Sequence, residues 1–464
     1  GTGITVSPRV GFTWDVLGDK TLKLRGGSGL FMGRSPLVFF TNMPTNSGMV
    51  QYQAQLSAKK KVDMSQFAGG LVVNSEGRPT IDALRSKLIA MGYPENISPD
   101  KGTLPATISA VSPDFKMPQV WKTTLAVDYK LPVSFPMQVT VEGIFDKNVN
   151  AACISDWSIP SAGGFARFNG ADNRPIYPAG FRNNLAAFVL ENTHKGYFWS
   201  ANLMVTARPA EWINLMASYT HQVRKEITGM PGSNAESAFT YVPTSEGPNH
   251  IKLHNSQYLT PDRFVASMQI NDKCNNHYSF IYETWRGGYN YSYMTVNDMN
   301  GDGYNYDAIY VPTDAEVESG AFRFVSQDDQ DRFMGFLHNN KSLSKYQGKY
   351  AEGYSVYNPW VHRVDFSYKH DFKLNIGSTK HTLQLGIDIK NLLNLFNSSW
   401  GVSKTLNSAI GSDARILKYE GVDAQGIATF STPSAINADT KLFTPLHALG
   451  QCWNMGITVK YIFN

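Results

Sequence analysis

Apolar and polar residues alternate with a period of two along this chain, in segments that come in pairs. In the first pair Val10, Phe12, Trp14 and Val16 alternate with Arg9, Gly11, Thr13 and Asp15; after Gly18-Asp19-Lys20, Leu22, Leu24, Leu30 and Met32 alternate with Lys23, Arg25, Gly27 and Gly29. The second pair sets Trp121, Leu125, Val127 and Tyr129, then Val139, Val141 and Phe145, against Lys, Thr, Asp, Gln and Glu. A third uses Trp199, Ala201, Leu203 and Val205, then Ile213, Leu215, Ala217 and Tyr219. A fourth uses Phe264, Ala266, Met268 and Ile270, then Tyr278, Phe280 and Tyr282. A fifth uses Val364, Phe366 and Tyr368, then Leu383, Leu385, Ile387 and Ile389. A last, unpaired segment alternates Trp453, Met455, Ile457, Val459, Tyr461 and Phe463 with Asn454, Gly456, Thr458 and Lys460. Successive side chains of a strand point to opposite faces, so each segment reads as a strand with one apolar face.

The connections are unequal. Inside the pairs they are short (17–20, 132–135, 209–210, 271–275 and 372–378); between pairs they are long (about 34–117, 149–195, 224–260, 289–359 and 392–448). A soluble sandwich shares the alternation, but short turns at one end and long loops at the other mark a transmembrane barrel. Composition agrees. Charged residues are 17% and aromatics 12% of 464 residues, yet mean hydropathy is −0.28 and no run approaches the roughly 20 apolar residues of a membrane helix. The net charge of +4 gives no reason to expect a nucleic-acid partner. Cys153, Cys274 and Cys452 are odd in number and far apart, which fits neither a disulfide framework nor a zinc site.

The expected fold is therefore all-β: a transmembrane antiparallel β-barrel in a bacterial outer membrane, with outer-membrane lipid against its apolar face. About eleven strands of roughly ten residues fit the chain. If the final strand runs down to the periplasm, every long connection lies outside and the first strand also runs downward. Bacterial outer-membrane barrels have an even number of strands, so residues 1–464 read as the C-terminal part of a larger barrel.

Particular residues resemble a known family. Ser7-Pro8-Arg9-Val10-Gly11-Phe12 with Leu24-Arg25-Gly26-Gly27-Ser28-Gly29-Leu30-Phe31-Met32-Gly33-Arg34 resembles mid-barrel strands of TonB-dependent receptors. So does Ile389-Lys390-Asn391-Leu392-Leu393-Asn394, followed by Trp400-Gly401-Val402. Asp298-Met299-Asn300-Gly301-Asp302-Gly303, Asn305-Tyr306-Asp307-Ala308-Ile309-Tyr310-Val311-Pro312, Tyr346-Gln347-Gly348-Lys349 and Asn358-Pro359-Trp360 are similar to the Oar-like branch of that family in Bacteroidota. The resemblance implies a plugged barrel of about 22 strands, of which these are the C-terminal half. It also implies uptake of a large or scarce solute driven by TonB from the inner membrane. The N-terminal half with the plug and TonB-contacting segment has no counterpart in these residues. The family usually ends on an aromatic residue, whereas this chain ends Phe463-Asn464.

One segment carries metal logic. Asp298, Asn300 and Asp302 stand at alternate positions before Gly303, as in the first half of an EF-hand loop. Tyr304 would offer its carbonyl and Asp307 would close the set, giving a structural Ca²⁺ site within the extracellular loop 289–359. An Asx-rich turn without an ion is the plainer alternative. Residues 318–340 carry Asp328, Asp329, Asp331 and Arg332 near Phe333, Phe336 and His338, which reads as a solvated loop face before a ligand contact. The basic residues at 58–62 read as a solvated charge run before a contact to lipopolysaccharide phosphates. Trp285, Tyr289, Tyr291, Tyr293, Tyr304, Tyr306 and Tyr310 are expected mainly in the outer aromatic girdle, with stacking on sugar or peptide as the other use.

No nucleophile elbow, HExxH or P-loop occurs, so no catalytic residue is assigned and an enzyme is not expected. Besides import, the barrel could be a platform for surface lipoproteins or other outer-membrane proteins, or a passive porin or adhesin.

Overall fold

The computed structural model describes residues 6–35, 37–45, 47, 81–96, 107–160, 164–181, 186–411 and 413–463. The basic residues at 58–62 lie outside them.

Eleven strands follow one another in chain order along the main path of a single sheet. They are β1 (Arg9–Asp15), β2 (Leu22–Met32), β3 (Gln119–Lys130), β4 (Met137–Asp156), β5 (Tyr197–Ala210) and β6 (Ile213–Glu226). The rest are β7 (Asp262–Asn271), β8 (Asn276–Arg286), β9 (Val361–Ile376), β10 (Thr379–Lys390) and β11 (Asn454–Phe463). Each pairs antiparallel with the next. Every alternating segment of the sequence is one of these strands. The sheet does not close: β1 and β11 each have one neighbour on that path. Among the described residues no helix is long and apolar enough to cross a membrane.

Register explains the alternation. Met137, Ala207, Leu215, Met268, Phe280, Phe366, Ile389 and Met455 stand opposite one another in one row across eight strands. Exposed apolar side chains stud that face, from Phe12, Leu125 and Val141 to Leu385, Ile457 and Val459. The opposite face is wired by charge. Arg25 Nε meets Asp128 at 2.9 Å and its Nη1 meets Glu142 at 3.0 Å. Thr140 Oγ1 donates to Asp128 at 2.7 Å, and Arg263 pairs with Glu283 at 2.7 Å. An apolar face with its large side chains left bare, backed by a hydrogen-bonded polar face, suits lipid outside and water inside.

Two short turns sit elsewhere than expected. Residues 372–376 continue β9, because Phe372, Leu374 and Ile376 keep the rhythm that the charges of Lys369, Asp371 and Lys373 obscure; Gly377, at φ 59°, makes the turn with Ser378. Residues 209–210 belong to β5, whose register shifts between Ala207 and Ala210, and the turn is Glu211-Trp212.

Hairpin turns occupy one end of the sheet and long connections the other. Those connections are not separate solvated loops. Tyr293–Val296 pairs parallel with Ala414–Val422, which pairs with Ala428–Ser431, which pairs with Arg323–Phe324. Around this small sheet Phe168, Tyr293, Ile309, Phe322, Phe333, Leu337, Leu343, Ile416 and Phe430 form one buried core. A second core joins Phe39, Ile154, Phe188, Leu190 and Phe239. Burying a Leu, Ile or Phe side chain is worth about 1.5–3 kcal/mol, so the connections hold one another as a folded cap.

Candidate functional site

The cap carries the densest polar chemistry of the chain. Its centre is Arg174, which is wholly buried. Nε and Nη2 fork onto the two oxygens of Asp172 at 3.0 and 2.8 Å, while Nη1 reaches Asp307 at 2.9 Å. Nη2 also donates to the Ala308 carbonyl at 2.7 Å. Tyr350 donates to Asp172 at 2.7 Å, with its ring centroid 5.2 Å from the guanidinium. A buried charge of this kind is tolerated only when every donor finds an acceptor. Nothing in the sequence singled out Arg174 or Asp172, since neither stands in a patterned segment.

That network engages one member of the proposed metal set. Asp307 already has partners on both oxygens: Oδ1 takes Arg174 and Oδ2 takes the Met299 N–H at 2.9 Å. The preceding residues form a ladder of Asx turns. Asp298 accepts from Gly301 and Gly303 N–H at 2.8 and 2.7 Å, Asn300 from Asp302 at 3.2 Å, and Asp302 from Tyr304 at 2.9 Å. The Tyr304 ring lies edge-on to Phe239, 5.5 Å away. Asp302 is 1% exposed, and burial followed by the charges of Asp307 and Asp298 pushes its carboxyl up to about 8. Among the described residues no group of three His, Cys, Asp or Glu side chains is placed to hold a metal.

The acidic segment at 318–340 is likewise reassigned. Gln327–Asn339 is a helix capped by Ser326, which accepts from the Asp329 N–H at 3.1 Å. Its apolar face buries Phe333 and Phe336 in the cap core, out of reach of a ligand. Asp329 is buried and structural: it holds Arg332 at 2.8 Å and the Thr432 N–H at 2.7 Å. Asp328 and Asp331 remain exposed, Asp328 bridged to Arg332 at 2.9 Å and Asp331 accepting from Gln327 at 2.8 Å. His338 meets Asp314 at 2.9 Å on the surface. The helix was hidden because its three aspartates suggest solvent, while its apolar residues pack on short unpatterned segments both near, such as Phe324, and about 100 positions away, at Ala428–Ser431.

The aromatics divide against the girdle reading. Tyr293 is fully buried, and Tyr291 and Tyr310 are 8% exposed within the cap core. Tyr306 faces Tyr241 at 5.3 Å. Trp285 lies under Arg363, 5.4 Å from its ring centroid. Tyr289 stays exposed beside Tyr258, as does Trp360. A tyrosine hydroxyl that finds a partner can enter a core; Tyr310 does so by donating to Glu316 at 2.6 Å.

The rim where β10 ends has its own logic. Asn391, at φ 54°, donates to the Gln451 carbonyl at 2.8 Å, and Asn394 donates to Ser398 and Trp400 at 3.0 and 2.9 Å. Asn394 also accepts the Trp453 N–H at 3.0 Å, which sets the entry of β11. A Cβ at Gly401 would meet Asn391 Oδ1 at 1.9 Å, so the residue after Trp400 has to be glycine. The Asn391-Leu392-Leu393-Asn394 motif is therefore a clasp between loop and final strand.

Comparison with known proteins follows this geometry. No curated protein sequence is detectably similar to the chain. The crystal structure of the outer membrane transporter YddB from Escherichia coli is similar at 11% identity and a TM-score of 0.44, over 98% of this chain and 41% of that one. The chain thus spans about two fifths of that transporter's length. Residues 4–414 match the profile of the outer membrane beta barrel domain; the chain belongs to that family, and its place is the bacterial outer membrane.

Proposed function

We propose that the chain forms part of the wall and the outer cap of a TonB-dependent receptor, which imports a large or scarce solute with energy from the inner membrane. The open sheet supports this most. β1 and β11 each leave one backbone edge without a neighbour on the main path, and an unpaired backbone group in lipid costs several kcal/mol. Further strands then complete the wall, toward about 22 in a plugged barrel, and the plug and TonB contact belong to that other half. With the hairpin turns periplasmic, the cap is the first surface a solute meets. The resemblance of residues 298–312 to the Oar-like branch belongs to this reading.

The deciding experiment is accumulation of labelled peptides, glycans or proteins from the medium by cells carrying the whole protein. Uptake should vanish on loss of TonB or on collapse of the proton gradient, and uptake indifferent to both would reject the importer. An accessory platform is the second reading. It is favoured by the cap having its own core, which offers lipoproteins a fixed surface; partners that co-purify stoichiometrically without TonB would select it.

The calcium reading narrows to Asp298, Asn300, Asp302 and the Tyr304 carbonyl. Its support is the tight ladder of Asx turns that brings Asp298, Asn300 and Asp302 together, with Asp302 and Asn300 each 1% exposed, an oxygen-rich setting that suits a hard cation. Calcium should then raise the melting temperature of the wild-type cap and leave Asp302→Asn unmoved; equal response of both removes the site.

A further inference from the structure

Four registered rungs descend the apolar face of β6, β7 and β8 from the cap side. The top rung is His221, Asp262 and Arg286; the next is Tyr219, Phe264 and Thr284; then come Ala217, Ala266 and Tyr282, and last Leu215, Met268 and Phe280. The top rung is linked: Asp262 accepts from Tyr219 Oη at 2.6 Å, contacts His221 Nδ1 at 2.8 Å and pairs with Arg286. Arg286 lies 5.5 and 5.9 Å from the ring centroids of Tyr357 and Trp360.

Above this rung cations gather. Lys225 pairs with Glu352, while Lys345 and Lys349 are exposed beside the Tyr346 ring, 4.8 and 5.6 Å from its centroid. Burial, and then the like charges of Lys225, Arg286 and Lys349 against the pull of Glu352, hold the Lys345 ammonium below its ordinary value. Below, the two alanines leave a depression of about 480 Å³ bordered by Leu215, Met268, Phe280, Tyr282 and Val364. Between the two levels, Thr284 is 6% exposed and its hydroxyl has no hydrogen-bond partner.

We infer that this strip binds an anionic, phosphate-bearing lipid of the outer leaflet, with its phosphate at Lys345, Lys349 and Arg286 and one acyl chain in the Ala217–Ala266 depression. The spacing fits such a molecule. Strands rise about 3.4 Å per residue, so the alanine rung lies ~14 Å along the strands from Arg286, which at the tilt of barrel strands is about 10–11 Å of depth, within one leaflet's hydrocarbon. Thr284 falls at the level where a lipid carries its ester or amide carbonyl. Tyr357 and Trp360 flank the headgroup level, where aromatic rings settle. Charge complementarity selects the occupant: a zwitterionic lipid fills the depression equally well but leaves the ammonium groups unneutralised.

The inference rests on the cap facing outward, as in the proposed function, but not on energised import. The whole protein, purified in mild detergent, would be titrated with lipid A, with phosphatidylcholine and with inorganic phosphate, and adducts read by native mass spectrometry. Lipid A should bind in preference to phosphatidylcholine, and phosphate alone at the same concentration should not displace it. Lys345→Gln with Lys349→Gln should weaken lipid A at least about tenfold. Ala266→Trp, which fills the depression and leaves the charges in place, should weaken it as well. Heat-modifiable migration of both variants checks that each is folded. Equal binding of lipid A and phosphatidylcholine, displacement by phosphate alone, or unchanged lipid A affinity in both variants overturns the proposal. An inward-facing cap, found by labelling whole cells, would sink the orientation without touching these affinities.

Discussion

Arg174 lies between Asp172 and Asp307 with no exposed surface, so truncating it strands two buried carboxylates. Loss of one member of such a set costs about 3–5 kcal/mol. Arg174→Met should therefore open the cap to protease while the strands stay inserted; limited proteolysis beside heat-modifiable migration separates the two effects. Asp302 sets a pH dependence. Its carboxyl is raised to about 8 in the folded cap from an ordinary value near 3.8, so the native state holds a proton that the unfolded chain releases. That contribution is present in full below about 4, falls as pH rises between the two values and is gone above about 8. In chelated protein the cap's melting temperature should fall across that window, and Asp302→Asn should flatten the fall. Asp298, Asn300 and Asp302 were legible as a turn from their spacing. The pairing of Asp307 was not, because its partner Arg174 is 133 residues away in a segment without periodicity.

At the level of elements, the strands were legible because a two-residue rhythm runs along each, even the seven residues of β1. Met268 and Gln269 show what the rhythm means: neighbours in β7 that point to lipid and to water. Met268→Arg should cost about 2–4 kcal/mol in urea unfolding from detergent or lipid, and Gln269→Arg much less; similar costs would remove the distinction between the faces. The cap was illegible for the opposite reason. Its strands are short, such as Arg323–Phe324 and Tyr293–Val296, and their partners lie about 100 residues off. No local pattern marks a two-residue strand. Cysteines report which end is which. Cys274 is exposed in the hairpin turn between β7 and β8, and Cys452 is exposed where β11 begins. A membrane-impermeant maleimide on intact cells should label Cys452 and spare Cys274 until the outer membrane is breached, while buried Cys153 stays unlabelled in both cases; the reverse order would invert the proposed orientation.

For the molecule as a whole, the free edges of β1 and β11 govern what residues 1–464 can do alone. Folded into detergent by themselves they should give aggregates or edge-paired oligomers, whereas a wall completed as proposed should run as a heat-modifiable monomer. A stable monomer from these residues alone would mean that the two edges find each other. The shared cap core has a mechanical consequence. Phe168, Ile416 and the pair Tyr293 and Phe333 come from three connections that leave the wall at different points, and each is sealed by the others. No one of these arms can swing while its neighbours stay put, since that would tear open the oil they enclose. Any passage for a solute past this roof then has to come from all of them tilting together, like a hatch on its frame, or from the roof melting in a single cooperative step.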